Sequence, residues 1–221
     1  FLTPTKPVPR AWLGSLLGKK VLGLASGGGQ QIPIFTALGA QCTVLDYSQE
    51  QLRKEELVAQ REGYDVELVR ADMSKPLPFA DESFDLIFHP VSNCYVKELQ
   101  PIWNECYRVL KKGGILLAGW DNGINYLFED DDEERVCCAL SLYDEYGFPS
   151  GSGGWVNADG VPRFANRYPD LTLKRLDKIE EELDGQLRAG FTLTGIYGDT
   201  NGSGHLHELN VPTFYASRCV K

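Results

Sequence analysis

At 221 residues, with 43% hydrophobic and 24% charged residues, the chain can bury one sizeable core and is expected to form one domain. A formal net charge of -9, with basic residues scattered along the chain, argues against a nucleic-acid partner, whose affinity rests on lysine and arginine contacts to phosphate. No apolar stretch approaches the roughly 18 residues of a membrane span, so no membrane partner is expected.

The chain opens at Phe1, and "FLTPTKPVPR" has no signal-peptide pattern, so residues upstream of Phe1 are expected to be missing. Arg10 to Leu17 reads as a short helix, and Val21 to Leu24 as a short apolar strand. Gly27 to Gly29 interrupt it before a helix from Ile32 to Leu38 that Gly39 stops. "QCTVLDYS", Gln41 to Ser48, is a second strand, and Ser48 N-caps a helix from Glu50 to Arg61 closed by Gly63. "VELVRAD", Val66 to Asp72, is a third strand. "FDLIFH", Phe84 to His89, is a fourth, apolar enough to be buried on both faces.

A helix from Leu99 to Leu110 leads through "KKGG" into a fifth strand, Ile115 to Trp120. The alternation then breaks. Glu129 to Tyr146 reads as one helix whose acidic run suits its amino-terminal dipole, and an exposed face is favoured over a binding site for that run. A last helix, Lys178 to Leu187, precedes strands Phe191 to Tyr197 and Thr213 to Cys219, which should pair as an antiparallel hairpin without an intervening helix. Strands alternating with helices imply an α/β, doubly wound, mostly parallel sheet.

Six cysteines (Cys42, Cys94, Cys106, Cys137, Cys138, Cys219) show neither C-x-x-C spacing nor partner histidines at zinc-ligand distances. They read as reduced core thiols of a cytoplasmic protein. His205, His207 and Glu208 in "SGHLHEL" invite a metal reading, but no third protein ligand is evident and an exposed connection is favoured, so no metal is expected.

In open α/β sheets, ligands sit outside the carboxyl ends of the strands. A glycine turn after the first strand lets the backbone approach a ligand. Asp46 ends the second strand 17 positions after Gly29, where an acid accepts hydrogen bonds from ribose hydroxyls. Together these point to an adenosine-type ligand; the competing reading of Gly27 to Gly29 is a simple tight turn. The dinucleotide fingerprint G-x-G-x-x-G fails, because Ile32 stands where its third glycine belongs, and no G-K-[ST] follows.

Four stretches in order, from about Lys19 to Trp120, resemble the class I S-adenosylmethionine-dependent methyltransferases of small-molecule type. They are "VLGLASGGG", "VLDYS" with "EQL", "RADMSKPLPFADESFDLIFH" and "RVLKKGGILLAG". The resemblance implies a Rossmann-like mixed sheet of order 3-2-1-4-5-7-6 with strand 7 antiparallel. It implies a single domain: residues 1–120 form the cofactor half, 121–175 a cap over the acceptor, and 176–221 the last helix and hairpin.

It further implies that Ala25, Ser26, Gly27, Gly28 and Gly29 line the methionine part of S-adenosylmethionine. Asp46 would hold the ribose and Tyr47 the adenine face, while Asp72 would take the adenine amino group with Met73 beside it. Phe88 and His89 would approach the sulfonium. The chain departs from the family's first motif at Gly23, where an acid is usual, and at Ala25, where a glycine is usual; Ala25 is tolerated there if its φ is negative.

The expected reaction is direct in-line transfer of a methyl group to a small-molecule acceptor. His89, with an ordinary pKa near neutrality, is the candidate base, against a structural role beside Pro90. Asn93 and Tyr95 are candidates to orient the acceptor. Trp120, Tyr126, Phe128, Tyr143, Tyr146 and Trp155 are candidates to shape its pocket. The alternative is a non-catalytic module that binds an S-adenosyl ligand.

Overall fold

A computed structural model describes residues 1–96, 98–122, 128–129, 132–136 and 178–221. After a short helix α1 (Arg10–Leu13) come β1 (Lys20–Leu24), α2 (Ile32–Ala37), β2 (Gln41–Asp46), α3 (Gln49–Glu62), β3 (Val66–Arg70) and β4 (Phe84–His89). A 3-10 turn (Asn93–Tyr95), α4 (Gln100–Val109) and β5 (Leu110–Asp121) follow. Short strands β6 (Phe128–Glu129) and β7 (Asp132–Val136) pair with each other. The chain then forms α5 (Lys178–Arg188), β8 (Thr192–Asp199), α6 (Gly204–Glu208) and β9 (Phe214–Val220).

The main sheet has seven strands in the order β3-β2-β1-β4-β5-β9-β8. The first five are parallel, and β9 is antiparallel to both β5 and β8. This is the expected order, with β8 and β9 as the sixth and seventh strands.

Alternation along the central strands fills two cores. Leu22, Leu24, Ile87, Leu116 and Ala118 face the layer holding Ile102, Trp103 and Cys106 of α4. Val21, Leu86, Phe88 and Leu117 face Ile32 and Phe35 of α2 and Leu52 of α3. Side chains two apart share a face, so the near-continuous apolar runs read from the sequence are sheet strands buried on both sides. Ser48 caps α3 by accepting from the Gln51 N–H at 3.3 Å, and Gly63 ends it at φ +71°.

Several expected boundaries shift. The first helix stops at Leu13 rather than Leu17, because Gly14 takes φ +64°. "KKGG" is part of β5 rather than a turn before it, and the Gly113 N–H bonds to the Lys221 carbonyl at the tip of β9. A five-residue helix, α6, interrupts the connection between β8 and β9. The helix expected over Glu129 to Tyr146 is contradicted at both ends of the acidic run, where Glu129 and Asp132–Val136 are β-paired. Most of the proposed 121–175 cap lies outside the described residues, as do Tyr126, Tyr143, Tyr146, Trp155, Cys137 and Cys138.

The amino-terminal segment packs across the sheet: a Cβ added to Gly119 would lie 2.2 Å from the Leu2 carbonyl oxygen. Asp199 clamps this segment, accepting from the Thr5 and Lys6 N–H groups at 2.8 and 2.9 Å and from the Thr5 hydroxyl. No helix among the described residues is long and apolar enough to cross a membrane.

Candidate active site

A cavity of about 480 Å³ opens at the carboxyl ends of β1, β2, β3 and β4, within the size range of small-molecule sites. Ala25, Gly27 and Gln30 line it after β1. Leu45, Asp46, Tyr47, Ser48 and Gln51 line it from β2 and α3; Ala71, Asp72 and Met73 from beyond β3; and Val91, Ser92, Tyr95 and Val96 from the turn beyond β4. A larger groove of about 800 Å³, with Lys20, Gln41 and Phe84 on its walls, lies at the opposite ends of these strands. Parallel sheets bind their ligands at the carboxyl ends, so the smaller cavity is the candidate.

Asp46 is held in place by the backbone. Its Oδ2 accepts from the Gly27 N–H at 3.1 Å and its Oδ1 from the Ser48 N–H at 2.8 Å. A carboxylate oxygen has two lone-pair sites, so each keeps accepting capacity. Asp72 Oδ1 accepts from the Ser74 N–H at 2.9 Å and the Ser74 hydroxyl at 2.7 Å, in a local turn of the kind short acids favour. Met73 is buried beside it, and Tyr47 is 55% exposed.

Only part of the glycine run lines the cavity as expected. Of residues 25–29, only Ala25 and Gly27 line the cavity. Gly28 and Gly29 have φ +112° and +75° and turn onto α3, where a Cβ on Gly29 would lie 2.5 Å from Val58 Cγ2. The Gly29 N–H donates to Glu55 Oε2 at 2.6 Å, and Tyr64 donates to Oε1 at 3.0 Å. Burial pushes the Glu55 carboxyl above the usual range, and these two donors work against that shift. Ser26 is buried with its hydroxyl unpaired, under Gly23, where an added Cβ would lie 2.2 Å from Ser26 Oγ and 2.9 Å from Ile32 Cδ1. Gly23 therefore has no room for the acid usual in the family. Ala25 has φ +49°, not the negative value expected of it.

Two other expected contacts lie behind the cavity wall. Phe88 packs edge-on against Phe35, with centroids 5.0 Å apart, on the α2 face of the sheet. His89 is fully buried, and both ring nitrogens are engaged: Nδ1 lies 2.9 Å from the Leu24 carbonyl and Nε2 2.6 Å from Asn93 Oδ1. Burial lowers its pKa, against the pull of those two bonds. A base acting directly must reach the acceptor's proton, whereas this ring is turned into the protein.

Asn93 also points inward, 1% exposed, and donates to both carboxylate oxygens of Glu182 at 2.8 Å. Tyr95, half-exposed, does face the cavity. Trp120 is buried and stacked on Tyr215 with centroids 6.5 Å apart. Gln51, and Val91, Ser92 and Val96 of the wall beyond β4, were missed from the sequence. Their signals were the helical spacing of Gln51 from the Ser48 cap and the position of the wall just beyond a strand's carboxyl end.

Elsewhere, the His207 ring Nδ1 lies 2.5 Å from the Thr200 hydroxyl and His205 lies 3.8 Å from Glu208. No group of three or more metal-ligating side chains is found among the described residues. Cys42, Cys94, Cys106 and Cys219 are buried. Burial pushes the Cys42 and Cys219 thiols up to about 12 and Cys106 further, so these three are inert at neutral pH.

The profile of the family described as "Methyltransferase domain" matches residues 22–118. The uncharacterized methyltransferase YbaJ of Bacillus subtilis is 37% identical over 220 residues, which cover all of this chain and 83% of that one. A sterol 24-C-methyltransferase, ERG6B, of Gibberella zeae is 31% identical over 136 residues, 60% of this chain and 36% of that one. An S-adenosylmethionine-dependent methyltransferase from Mesorhizobium loti shares the fold at TM-score 0.65 and 20% identity, over 96% of this chain and 95% of that one. The cavity suits an S-adenosyl group, since glycine backbone forms its floor at Gly27 and two acids stand at adjacent strand ends. Similarity to YbaJ along the whole chain, on this sheet order, makes the protein a member of the class I methyltransferases that use S-adenosylmethionine.

Proposed function

We propose that the protein transfers a methyl group to a small-molecule acceptor by direct in-line displacement. The observation that carries this reading is the single cavity on which Asp46, Asp72 and the Ala25–Gly27 corner converge, with the Val91–Val96 wall opposite. Asp46, its oxygens already oriented by two backbone N–H groups, holds the ribose hydroxyls. Asp72 takes the adenine amino group with Met73 beside it, and Tyr47 lies along the adenine.

S-adenosylmethionine supplies a methyl group already activated on a sulfonium sulfur. What remains for the chain is alignment of donor and acceptor, and positioning of that kind is worth up to roughly 7–11 kcal/mol. A net charge of -9 disfavours a polyanionic acceptor. The Gibberella relative is named a sterol methyltransferase, which supports an acceptor of small-molecule size here.

Calorimetric titration with S-adenosylmethionine and with its demethylated product tests the reading. Micromolar binding of both is expected. Asp46→Ala should weaken it by the ~1.5–3 kcal/mol typical of hydrogen bonds to a charged group, without loss of folding. A folded chain that binds neither ligand would overturn the proposal. Binding of both without turnover across phenol, amine and sterol acceptors would favour a non-catalytic S-adenosyl module.

A further inference from the structure

Gln51 stands on the first turn of α3 and lines the cavity together with Asp46 and Gly27. Its backbone N–H donates to the Ser48 hydroxyl at 3.3 Å, which fixes that turn and so the place from which the side chain leaves the helix. The side chain then runs along the glycine backbone. A Cβ added to Gly27 would lie 2.8 Å from Gln51 Cβ and 3.0 Å from Asp46 Oδ2, and one added to Gly28 would lie 2.8 Å from Gln51 Oε1. Glycine at both positions therefore makes room for the Gln51 side chain, and the amide and the Asp46 carboxylate stand over adjacent residues of one turn.

The two groups offer opposite chemistry. Asp46 Oδ2 accepts from the Gly27 N–H and Oδ1 from the Ser48 N–H, and each oxygen can accept one bond more. A carboxylate has no hydrogen to give, so it takes the hydrogens of a ribose diol and leaves the hydroxyl oxygens in need of a donor. An incompletely paired hydroxyl in a cavity loses affinity. The Gln51 amide can supply that donor: it carries two N–H groups, and it has no hydrogen-bond partner among the described residues.

We propose that Gln51 is a second ribose-binding residue, whose amide N–H donates to the oxygen of a hydroxyl that Asp46 accepts from. The pair then selects a ribose over a deoxyribose, because removal of that hydroxyl leaves an acceptor and a donor unmet on the same wall. The proposal rests on the S-adenosyl reading of the cavity.

Calorimetric titration with S-adenosylhomocysteine and with its 2′-deoxy and 3′-deoxy forms, by displacement for the weaker ligands, tests it. The unaltered protein should bind both deoxy forms at least tenfold more weakly, as loss of a hydrogen bond to a charged group implies. Gln51→Met keeps the length of the side chain and its packing on Gly27 and Gly28 but has no donor. It should weaken S-adenosylhomocysteine about fivefold, the effect of one hydrogen bond between uncharged groups, and leave Tm of the ligand-free protein unchanged.

The deciding readout is the ratio of the two proteins' affinities for each ligand. It should fall to within about twofold of unity for the deoxy form that lacks the paired hydroxyl, and stay near fivefold for the other. A ratio that is the same for all three ligands overturns the proposal, since Gln51 would then act on the shape of the wall or not at all. Gln51→Ala carries the same comparison if Gln51→Met does not fold. An unaltered protein that binds none of the three ligands overturns the S-adenosyl reading itself, and this proposal with it; tight binding with equal ratios overturns the role of Gln51 alone.

Discussion

Ala25 stands at φ +49° where the backbone turns from β1 into the cavity, with its N–H bonded to the Leu45 carbonyl at 2.7 Å. A left-handed alanine costs roughly 1–2 kcal/mol through contact of its Cβ with the backbone, a penalty glycine escapes. Part of that gain is lost to the larger unfolded-state entropy of glycine. Ala25→Gly should therefore stabilise the fold by about 1 kcal/mol, raising Tm by ~2–4 °C for a chain of this size. A calorimetric melt showing no rise would mean the corner is not strained. The sequence marked Ala25 as a departure from the family's motif, but φ at that residue depends on the Leu45 bond across the sheet and was not legible locally.

At the scale of elements, α3 holds the glycine run. Glu55 reaches from its second turn to the Gly29 N–H, while Gln51 and Val58 fill the space that side chains at Gly27 and Gly29 would need. Glu55→Ala leaves a partly buried N–H and the Tyr64 hydroxyl without their acceptor. The expected cost is ~1–3 kcal/mol per unmet group, read from the denaturant midpoint at unchanged m-value. A midpoint within error of the unaltered protein would show that water replaces the carboxylate. The cap and stop of α3 were readable from Ser48 and Gly63, because both act within one turn. Its hold on the glycine run was not, since it joins residues 26 positions apart.

For the molecule as a whole, the amino-terminal segment is secured at the far edge of the sheet by Asp199. Burial alone would raise its pKa, but donors from Thr5 and Lys6 outweigh burial and bring it from the usual 3.8 to about 2. A depressed carboxylate contributes stability that is complete above 3.8 and lost as the pH falls through about 2. That contribution is on the order of 2 kcal/mol, so Asp199→Asn should lower Tm by about 4–8 °C at pH 7. The gap between variant and unaltered protein should close in melts taken towards pH 2. A gap that persists there would assign the loss to packing rather than to the charge.

The sequence by itself determined the seven strands of the main sheet and the acid that ends β2, and their order was expected from the resemblance to the methyltransferases. The strands rest on local periodicity and on caps and stops that act within one turn. Asp46, Asp72, Gly27 and Met73 were found at the cavity because strand ends converge wherever parallel strands pair in register. Only the tertiary structure decided that Gly28 and Gly29 serve α3, that Phe88 belongs to the α2 core, and that His89 faces Asn93, whose amide in turn meets Glu182. Asn93 and Glu182 are 89 positions apart, and the face a side chain takes at a strand's end depends on what packs there. A histidine at the edge of a site reads the same in sequence whether its ring turns towards the ligand or, as here, towards a buried amide and a backbone carbonyl.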